Sequence, residues 1–256
     1  MTRTTTTDGG AAPAWQAILA LTAMELRLAL RRGETLVATA VLPVVVLVFF
    51  SSVSILPVDV ARPVDFLLPG SISFAIVATS LVSHGITTAY DRFYGVLKRL
   101  GGSPLSRAEL IAAKILAVLV VEAVQVSVLV GAASVLLGWS APAGASVGLL
   151  VVAVLLGTVA LAGAGLVLAG TLRAETMLAV ANILLVASLI LGGVVLPISE
   201  LPAPLAAIAE ALPAAALSDA LQIALGATGD AAGSLTLLAG WGVASVGLAV
   251  ATFRWE

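Results

Sequence analysis

An apolar stretch near the middle of the chain carries two side chains that could do chemistry. Glu122 and Gln125 lie three residues apart, so a helix places both on one face. The single histidine, His84, lies in another apolar stretch. An ionisable group at membrane depth is costly and usually faces a bundle interior or a wet cavity. Glu122 and His84 could therefore line a transport path or hold a proton, and the alternative is a structural hydrogen bond to a neighbouring helix.

Smaller polar side chains in the apolar stretches are further candidates for the same path. Serine and asparagine inside a membrane bundle commonly hydrogen-bond an adjacent helix. The candidates are Ser80, Ser83, Asn182 and Ser188. With Glu122, Gln125 and His84 they make up the predicted lining of a transport path.

Charge is densest in residues 91–107, which read DRFYGVLKRLGGSPLSR and hold four basic side chains and one acidic side chain. We predict a loop that begins as a short helix with an apolar face. Its Gly-Gly-Ser-Pro turn should end the helix, because glycine permits left-handed backbone and proline cannot continue a helix. An apolar face ringed by basic residues fits a groove on a partner protein that carries carboxylates. The alternative is a basic loop that only sets membrane topology.

Several other chemistries are not expected. The pattern G-x-x-x-x-G-K-[ST] does not occur, so the chain should not bind or hydrolyse ATP. Cysteine is absent, which excludes thiolate ligands and nucleophiles, and no metal site is predicted. Residues 144–148 match G-x-S-x-G, but Ser146 would need a base in reach, and His84 is predicted to lie across the membrane. We expect Ser146 to cap a helix and no residue to be catalytic.

Composition defines the class of protein that must position these residues. Of the 256 residues, 61% are hydrophobic and 10% are charged, with a mean hydropathy of +1.17. A soluble domain carries about 25% charged residues. The long apolar stretches predict an all-α integral membrane protein, because only helices or closed barrels satisfy the backbone in lipid.

The apolar stretches divide the chain into six predicted transmembrane helices within a single domain of residues 14–256. They cover about residues 34–56, 66–90, 109–137, 147–170, 176–196 and 231–253. Residues 14–32 predict an amphipathic helix at the membrane interface, or one merely packed on the bundle. Residues 1–13 predict a disordered cytoplasmic tail. Residues 197–230 contain four prolines and predict two short re-entrant or outer helices, about 204–211 and 214–225.

Basic residues orient the predicted spans. With the N-terminus inside, six spans place the C-terminus inside as well, and 11 of the 12 basic residues lie on the inner side or near it. They are Arg3, Arg27, Arg31, Arg32, Arg92, Lys98, Arg99, Arg107, Lys114, Arg173 and Arg254. Only Arg62 lies outside, so both termini are predicted to be cytoplasmic.

With this layout, the chain resembles the permease subunits of type-2 ABC transporters, the exporter-type family. The most specific part is the pattern R-x-x-G-x-x-K-R-L-x-x-x-P-L-x-R, which is similar to the family's signature after its second span. The matching residues are Arg92, Gly95, Lys98, Arg99, Leu100, Pro104, Leu105 and Arg107. Lys114 resembles the family's basic residue at the start of the third span. The resemblance implies that residues 91–107, including Phe93, Val96 and Leu97, form the coupling helix loop that sits on an ATPase.

The resemblance also implies partners and a mechanism. Two permease subunits, identical or related, would pair in the lipid bilayer above two cytoplasmic ABC ATPase subunits, which bind ATP and Mg²⁺. This chain would bind no cofactor and no nucleic acid. We expect a multi-pass protein of a bacterial plasma membrane that exports an amphipathic, lipid-like or drug-like compound. The alternative is an ion-coupled secondary transporter with Glu122 as its proton site.

Overall fold

The computed structural model describes residues 13–31, 33–52, 62–194, 197–253 and 255, with the side chains of residues 33–40 left out of the description. The described chain is helical and contains no strand, as the composition predicts. Its helices are α1 (Ala14–Arg31), α2 (Gly33–Ser52), α3 (Pro63–Ile76), α4 (His84–Phe93), α5 (Val96–Gly101), α6 (Arg107–Leu137), α7 (Val147–Thr171), α8 (Ala174–Leu191), α9 (Ala203–Glu210), α10 (Pro213–Ala224) and α11 (Ala232–Thr252). The predicted tail of residues 1–13 lies outside the described residues, apart from Pro13.

Five helical stretches of the described chain are long and apolar enough to cross a membrane. They are Pro63–Phe93, Arg107–Leu137, Val147–Thr171, Ala174–Leu191 and Ala232–Thr252. They correspond to the second to sixth predicted spans. The helix α2 coincides with most of the first predicted span, but its apolar stretch with described side chains, Val41–Ser52, is shorter than a span. The count of six spans and the orientation of the termini therefore stay predictions.

The helix α7 lies at the centre of the bundle, where it packs against α4, α6, α10 and α11. Its glycines allow this close approach. A Cβ atom added to Gly165 would lie 2.9 Å from the backbone oxygen of Leu81. Helices in lipid associate through close van der Waals packing and hydrogen bonds, so small residues at such crossings hold the bundle together.

The second span is one helical stretch with a π-helical interior, Val77–Ser83, between α3 and α4. The backbone N–H of His84 donates to the carbonyl of Thr79, five residues earlier, which is the π-helical pattern. This stretch is the most deeply buried of the candidate spans, and it carries Thr79 and Ser80 into the bundle interior.

Residues 197–230 form two short helices, as predicted. The helices α9 and α10 meet at a bend of 80° near Leu212 and Pro213. Nine of the 12 residues of α10 are buried, including Leu217 and Leu221, which pack in the main hydrophobic core. The helix is therefore covered by protein, the condition under which broken backbone is tolerated at membrane depth.

One predicted helix end needs correction. The fifth span was predicted to continue to residue 196, but α8 ends at Leu191, because Gly193 takes a positive φ of 68° and turns the chain. The N-terminal helix packs on α6 through Thr22, whose hydroxyl lies 3.2 Å from the carbonyl oxygen of Ala113. Its Trp15, Leu19 and Leu30 are exposed, so part of the predicted apolar face points away from the bundle. Its place at the membrane interface stays a prediction.

Candidate functional site

The charged segment 91–107 contains a shorter helix than predicted. Asp91, Arg92 and Phe93 complete α4, and the chain then breaks at Gly95, whose φ is +72°. Because left-handed backbone favours glycine, this residue starts the separate helix α5 at Val96. The predicted helix start at the beginning of the segment is therefore wrong, while its end at the Gly101-Gly102 turn is confirmed.

The apolar side chains of this segment point in two directions. Phe93, Tyr94 and Val96 are exposed, with 70% of the Phe93 surface accessible. Leu97 is only 1% exposed and packs in a second core cluster with Leu110. Leu97 therefore anchors α5 to the bundle, and the expectation that it belongs to the face offered to a partner is wrong.

Three of the four basic side chains of the segment are exposed, as is the aromatic pair Phe93 and Tyr94. Lys98, Arg99 and Arg107 are exposed, as is Pro104, whereas Leu100 and Leu105 are half-buried and pack on the second core cluster. The rings of Phe93 and Tyr94 contact edge to face, with centroids 5.2 Å apart. The segment thus exposes a pair of contacting aromatic rings and several positive charges.

Arg92 belongs to the interior of the protein more than to this surface. Its guanidinium donates to the carbonyl oxygens of Gly170 and Leu172. These carbonyls lie at the C-terminal end of α7, where the last carbonyls of a helix lack intrahelical partners and a cation is favourable. Arg92 therefore ties the end of α4 to the end of α7, directly beside the break at Gly95.

Lys114 forms a second tie on the same side of the bundle. Its ammonium lies 2.7 Å from the carboxylate of Glu25 in α1 and 3.3 Å from that of Asp91 in α4. Lys114 is fully buried, and a buried charge requires such partners. The ion pairs join α1, α4 and α6 next to the residues from which α5 projects.

Glu122 lies at the centre of a buried polar cluster. Its carboxyl accepts from the hydroxyl of Ser80 at 2.7 Å and from that of Thr158, so it joins α6 to the π-helical segment and to α7. One turn along α6, the amide oxygen of Gln125 accepts from the hydroxyl of Thr79 at 3.0 Å. All five side chains are buried.

Two hydroxyls of this cluster, those of Ser80 and Thr158, have two possible acceptors each. The Ser80 hydroxyl lies 2.6 Å from its own helix carbonyl at Ile76, and that of Thr158 lies 2.7 Å from the carbonyl of Val154. A hydroxyl has one proton, so it either donates to Glu122 or donates to its carbonyl and accepts from a protonated Glu122. By rotating these hydroxyls, the cluster can satisfy the carboxyl in both protonation states.

The remaining predicted path residues do not join this cluster. Asn182 is exposed on α8 and donates to the carbonyl of Leu178 in its own helix. Ser188 lines an apolar cleft described below. Ser83 and His84 are half-buried, and the Nε2 atom of His84 has no hydrogen-bond partner among the described residues. The predicted lining is thus divided between the bundle interior and its outer surface.

Four residues that complete these contacts were not predicted from the sequence. Thr79 directly precedes Ser80, and Thr158 lies within the apolar stretch of α7, so both carry the same signal that singled out Ser80. Glu25 and Asp91 were visible only as surface charges. Ser146 is a helix cap as expected, because its hydroxyl accepts from the backbone N–H of Leu149 at 3.2 Å.

Comparison with known proteins identifies the family of the chain. A family model described as ABC-2 type transporter matches residues 16–225, which include the segment 91–107 and the Glu122 cluster. A search of curated proteins finds no match to the chain. The match covers most of the chain, and the several long apolar helices make it a multi-pass membrane protein. The chain therefore belongs to the ABC-2 type transporter family and has the role of an ABC transporter permease.

Proposed function

We propose that this chain is the membrane subunit of an ATP-driven exporter and that α5 with the exposed patch Phe93, Tyr94 and Val96 receives the motion of an ATPase. The observation that carries this proposal is the separation of α5 from α4 at Gly95. Because α5 is a short separate helix at the end of the most buried span, a movement of the ATPase against α5 can be transmitted to the transmembrane helices. Leu97, which is buried in one cluster with Leu110, is the contact through which this movement would reach α6.

The two ties described above support this role. Arg92 connects the end of α4 to the carbonyl end of α7, and Lys114 connects α4 to α1 and α6. Movement of α5 would therefore shift α4, and through these two ties also α1, α6 and α7. The ATP and Mg²⁺ would bind to two separate ATPase subunits in the cytoplasm of a bacterium, and the permease would sit in the plasma membrane.

The channel is proposed to form between two permease chains, identical or related. The exposed face of α8 suits this pairing, because it is apolar at Ile183, Val186 and Ile190 and carries the amide of Asn182. An amide exposed on a span would otherwise face hydrocarbon, where a polar group is costly, and such groups promote helix association. The apolar faces favour an amphipathic, lipid-like or drug-like cargo over an ion.

Glu122 is proposed to hold three helices together, and not to couple transport to protons. It accepts hydrogen bonds from Ser80 and Thr158, and all three side chains are buried. The family match also favours the permease over the ion-coupled transporter.

The proposal is tested by expressing the chain with the ATPase encoded beside its gene and purifying the complex from membranes. We expect two permease chains and two ATPase chains, and ATP-dependent uptake of an amphipathic dye into inverted vesicles. Uptake that persists without an ATPase and stops when the proton gradient is collapsed would instead support the ion-coupled transporter.

A further inference from the structure

An apolar cleft of about 350 Å³ lies between α7, α8 and α11, apart from the Glu122 cluster. Leu161 and Leu168 line it from α7, Ala187 from α8, and Trp241 and Leu248 from α11, while Pro213 lines it at the bend before α10. Leu161 and Leu168 are seven residues apart, as are Trp241 and Leu248, and seven residues span about 10 Å along a helix. The cleft is therefore an elongated slot that runs along the spans.

The polar atoms that line the cleft are almost all occupied by the protein itself. The indole Nε1 of Trp241 donates to the carbonyl of Ala211 at 3.0 Å, and the hydroxyl of Ser245 donates to that of Ala160 at 3.1 Å. Ser188 supplies the one other polar side chain of the lining. A polar ligand would lose its hydrogen bonds to water without replacement, so the lining selects hydrocarbon.

The volume is large enough for a ligand of this kind. Apolar cavities of about 150 Å³ bind benzene-sized molecules, and pockets for small molecules begin at about 300 Å³. A volume of 350 Å³ whose lining extends over about 10 Å along the helices is large enough for part of an extended acyl chain.

The cleft opens toward the side of the bundle. The helices α8 and α11 both contact other elements closely but do not pack closely against each other along their described residues. Outside this gap, both spans expose apolar side chains such as Ile183 and Val243. In a bilayer, acyl chains surround such faces, so an acyl chain can enter the gap without leaving hydrocarbon.

We propose that this cleft is a binding site for the acyl chain of a bilayer lipid. Its lining residues Leu184 and Ser188 lie on another face of α8 from Asn182 and Val186, and Ala187 lies at the border between the two faces, four residues after Ile183. The lipid would fill the space between the last two spans and the α9–α10 bend. This inference does not depend on ATP-driven export.

The test uses the full chain in nanodiscs of phosphatidylcholine that carries a diazirine in the middle of one acyl chain. After illumination, peptide mass spectrometry locates the adducts. We expect adducts on the cleft segments of α7 and α11, and their loss in Ala187→Phe, which fills the slot. The matched control Ala179→Phe lies on the exposed face of α8 and should retain them. Adducts on the outer face of α6, at Val124, report ordinary lipid contact and should be equal in all variants.

A second variant, Ala244→Phe, fills the cleft from α11 and should also lose the cleft adducts. It keeps the test valid if Ala187→Phe does not fold. Its control is Val243→Phe, which adds the same bulk to the outside of α11. Cleft adducts that persist in both filled variants, or that are absent from the unaltered protein, would overturn the proposal. Labelling by a diazirine fatty acid added as a free amphipath, without labelling by the phospholipid, would also overturn it.

Discussion

Lys114 Nζ lies 2.7 Å from Glu25 Oε1 and joins the long helix α6 to the N-terminal helix α1. The same ammonium lies 3.3 Å from Asp91, the residue before Arg92. One buried lysine therefore connects the helix predicted at the membrane interface to the end of the second span. Loss of this connection should affect both the stability of the bundle and the position of α5.

We expect Lys114→Ala to lower the free energy of unfolding. Breaking a fully buried ion pair costs about 3–5 kcal/mol, and because Glu25 and Asp91 are 16% and 19% exposed we expect about 2–3 kcal/mol. Thermal unfolding in detergent measures this, with Arg99→Ala as the control, since an exposed substitution usually changes stability by within about 0.5 kcal/mol. Equal stability of the two variants would show that the ion pairs contribute nothing.

Substitution of Glu122 separates a structural role from proton coupling. In Glu122→Gln, the amide can still bond the hydroxyls of Ser80 and Thr158, so stability and transport should be close to those of the unaltered protein. In Glu122→Ala, both hydroxyls lose a partner and a cavity remains, at a cost of about 2–4 kcal/mol. A Glu122→Gln variant that is stable but no longer transports would contradict the structural role.

A methyl group at Gly165 should disrupt the contact between α7 and the π-helical segment. The added Cβ would lie 2.9 Å from the Leu81 carbonyl oxygen, which belongs to the backbone and cannot rotate away. We expect Gly165→Ala to cost about 1–3 kcal/mol through overpacking. For Gly247→Ala, whose Cβ would meet no atom within 4 Å, we expect a gain of about 0.5–1 kcal/mol from helix propensity. Thermal unfolding measures the change in stability of both variants. A Gly165→Ala protein as stable as the unaltered protein would show that α7 and the π-helical segment can move apart to admit the methyl group.

Aspartate substitutions can distinguish the exposed side chains of residues 91–107 from the buried ones. Phe93→Asp should leave the fold intact and weaken association with the ATPase at least about tenfold, or about 1.4 kcal/mol. Leu97→Asp buries a charge in the second core cluster and should prevent folding.

Co-purification with the ATPase and thermal unfolding measure these two effects separately. The control is Val147→Asp, an exposed apolar residue at the far end of α7 from Arg92. If Phe93→Asp binds the ATPase as Val147→Asp does, the aromatic patch is not the docking surface.

Pairing through α8 can be tested by disulfide crosslinking, because the sequence contains no cysteine. Single cysteines at Leu178, Ile183, Val186 and Ile190 place thiols along the exposed face of α8. We expect at least one to form a crosslinked dimer in membranes, since a two-fold axis brings the same residue of both chains together. A cysteine at Val243 on α11 should not crosslink, and crosslinking there alone would move the pairing surface to α11.

The sequence was sufficient for the coarse fold. Long apolar stretches predicted the helices α6, α7 and α11 within about two residues at each end, because a span must be long and apolar whatever it packs against. Local signals at helix ends were equally informative. Ser146 was expected to cap a helix, and its hydroxyl accepts from the backbone N–H of Leu149 at the start of α7, three residues along the chain.

In the segment 91–107, such local signals do not predict which side chains are buried. Its composition predicted a helix and a turn, but the direction of each side chain depends on the neighbouring helices. Leu97 and Phe93 are both apolar and four residues apart, and only the break at Gly95 and the presence of Leu110 decide that one is buried and the other exposed. The partners of Lys114 and Glu122 were out of reach for the same reason, because they lie 23 to 89 residues away along the chain.

By itself, the sequence determined that this is a helical membrane protein, where most of its long helices lie along the chain, and which family its charged segment resembles. These properties follow from hydrophobicity and local backbone preference, which act over a few residues. The tertiary structure alone decided that Arg92 binds the end of α7, that Lys114 joins three helices, and that an apolar cleft opens between α8 and α11. Such contacts depend on how the helices pack, and packing is fixed by the fit of distant surfaces that no local pattern records.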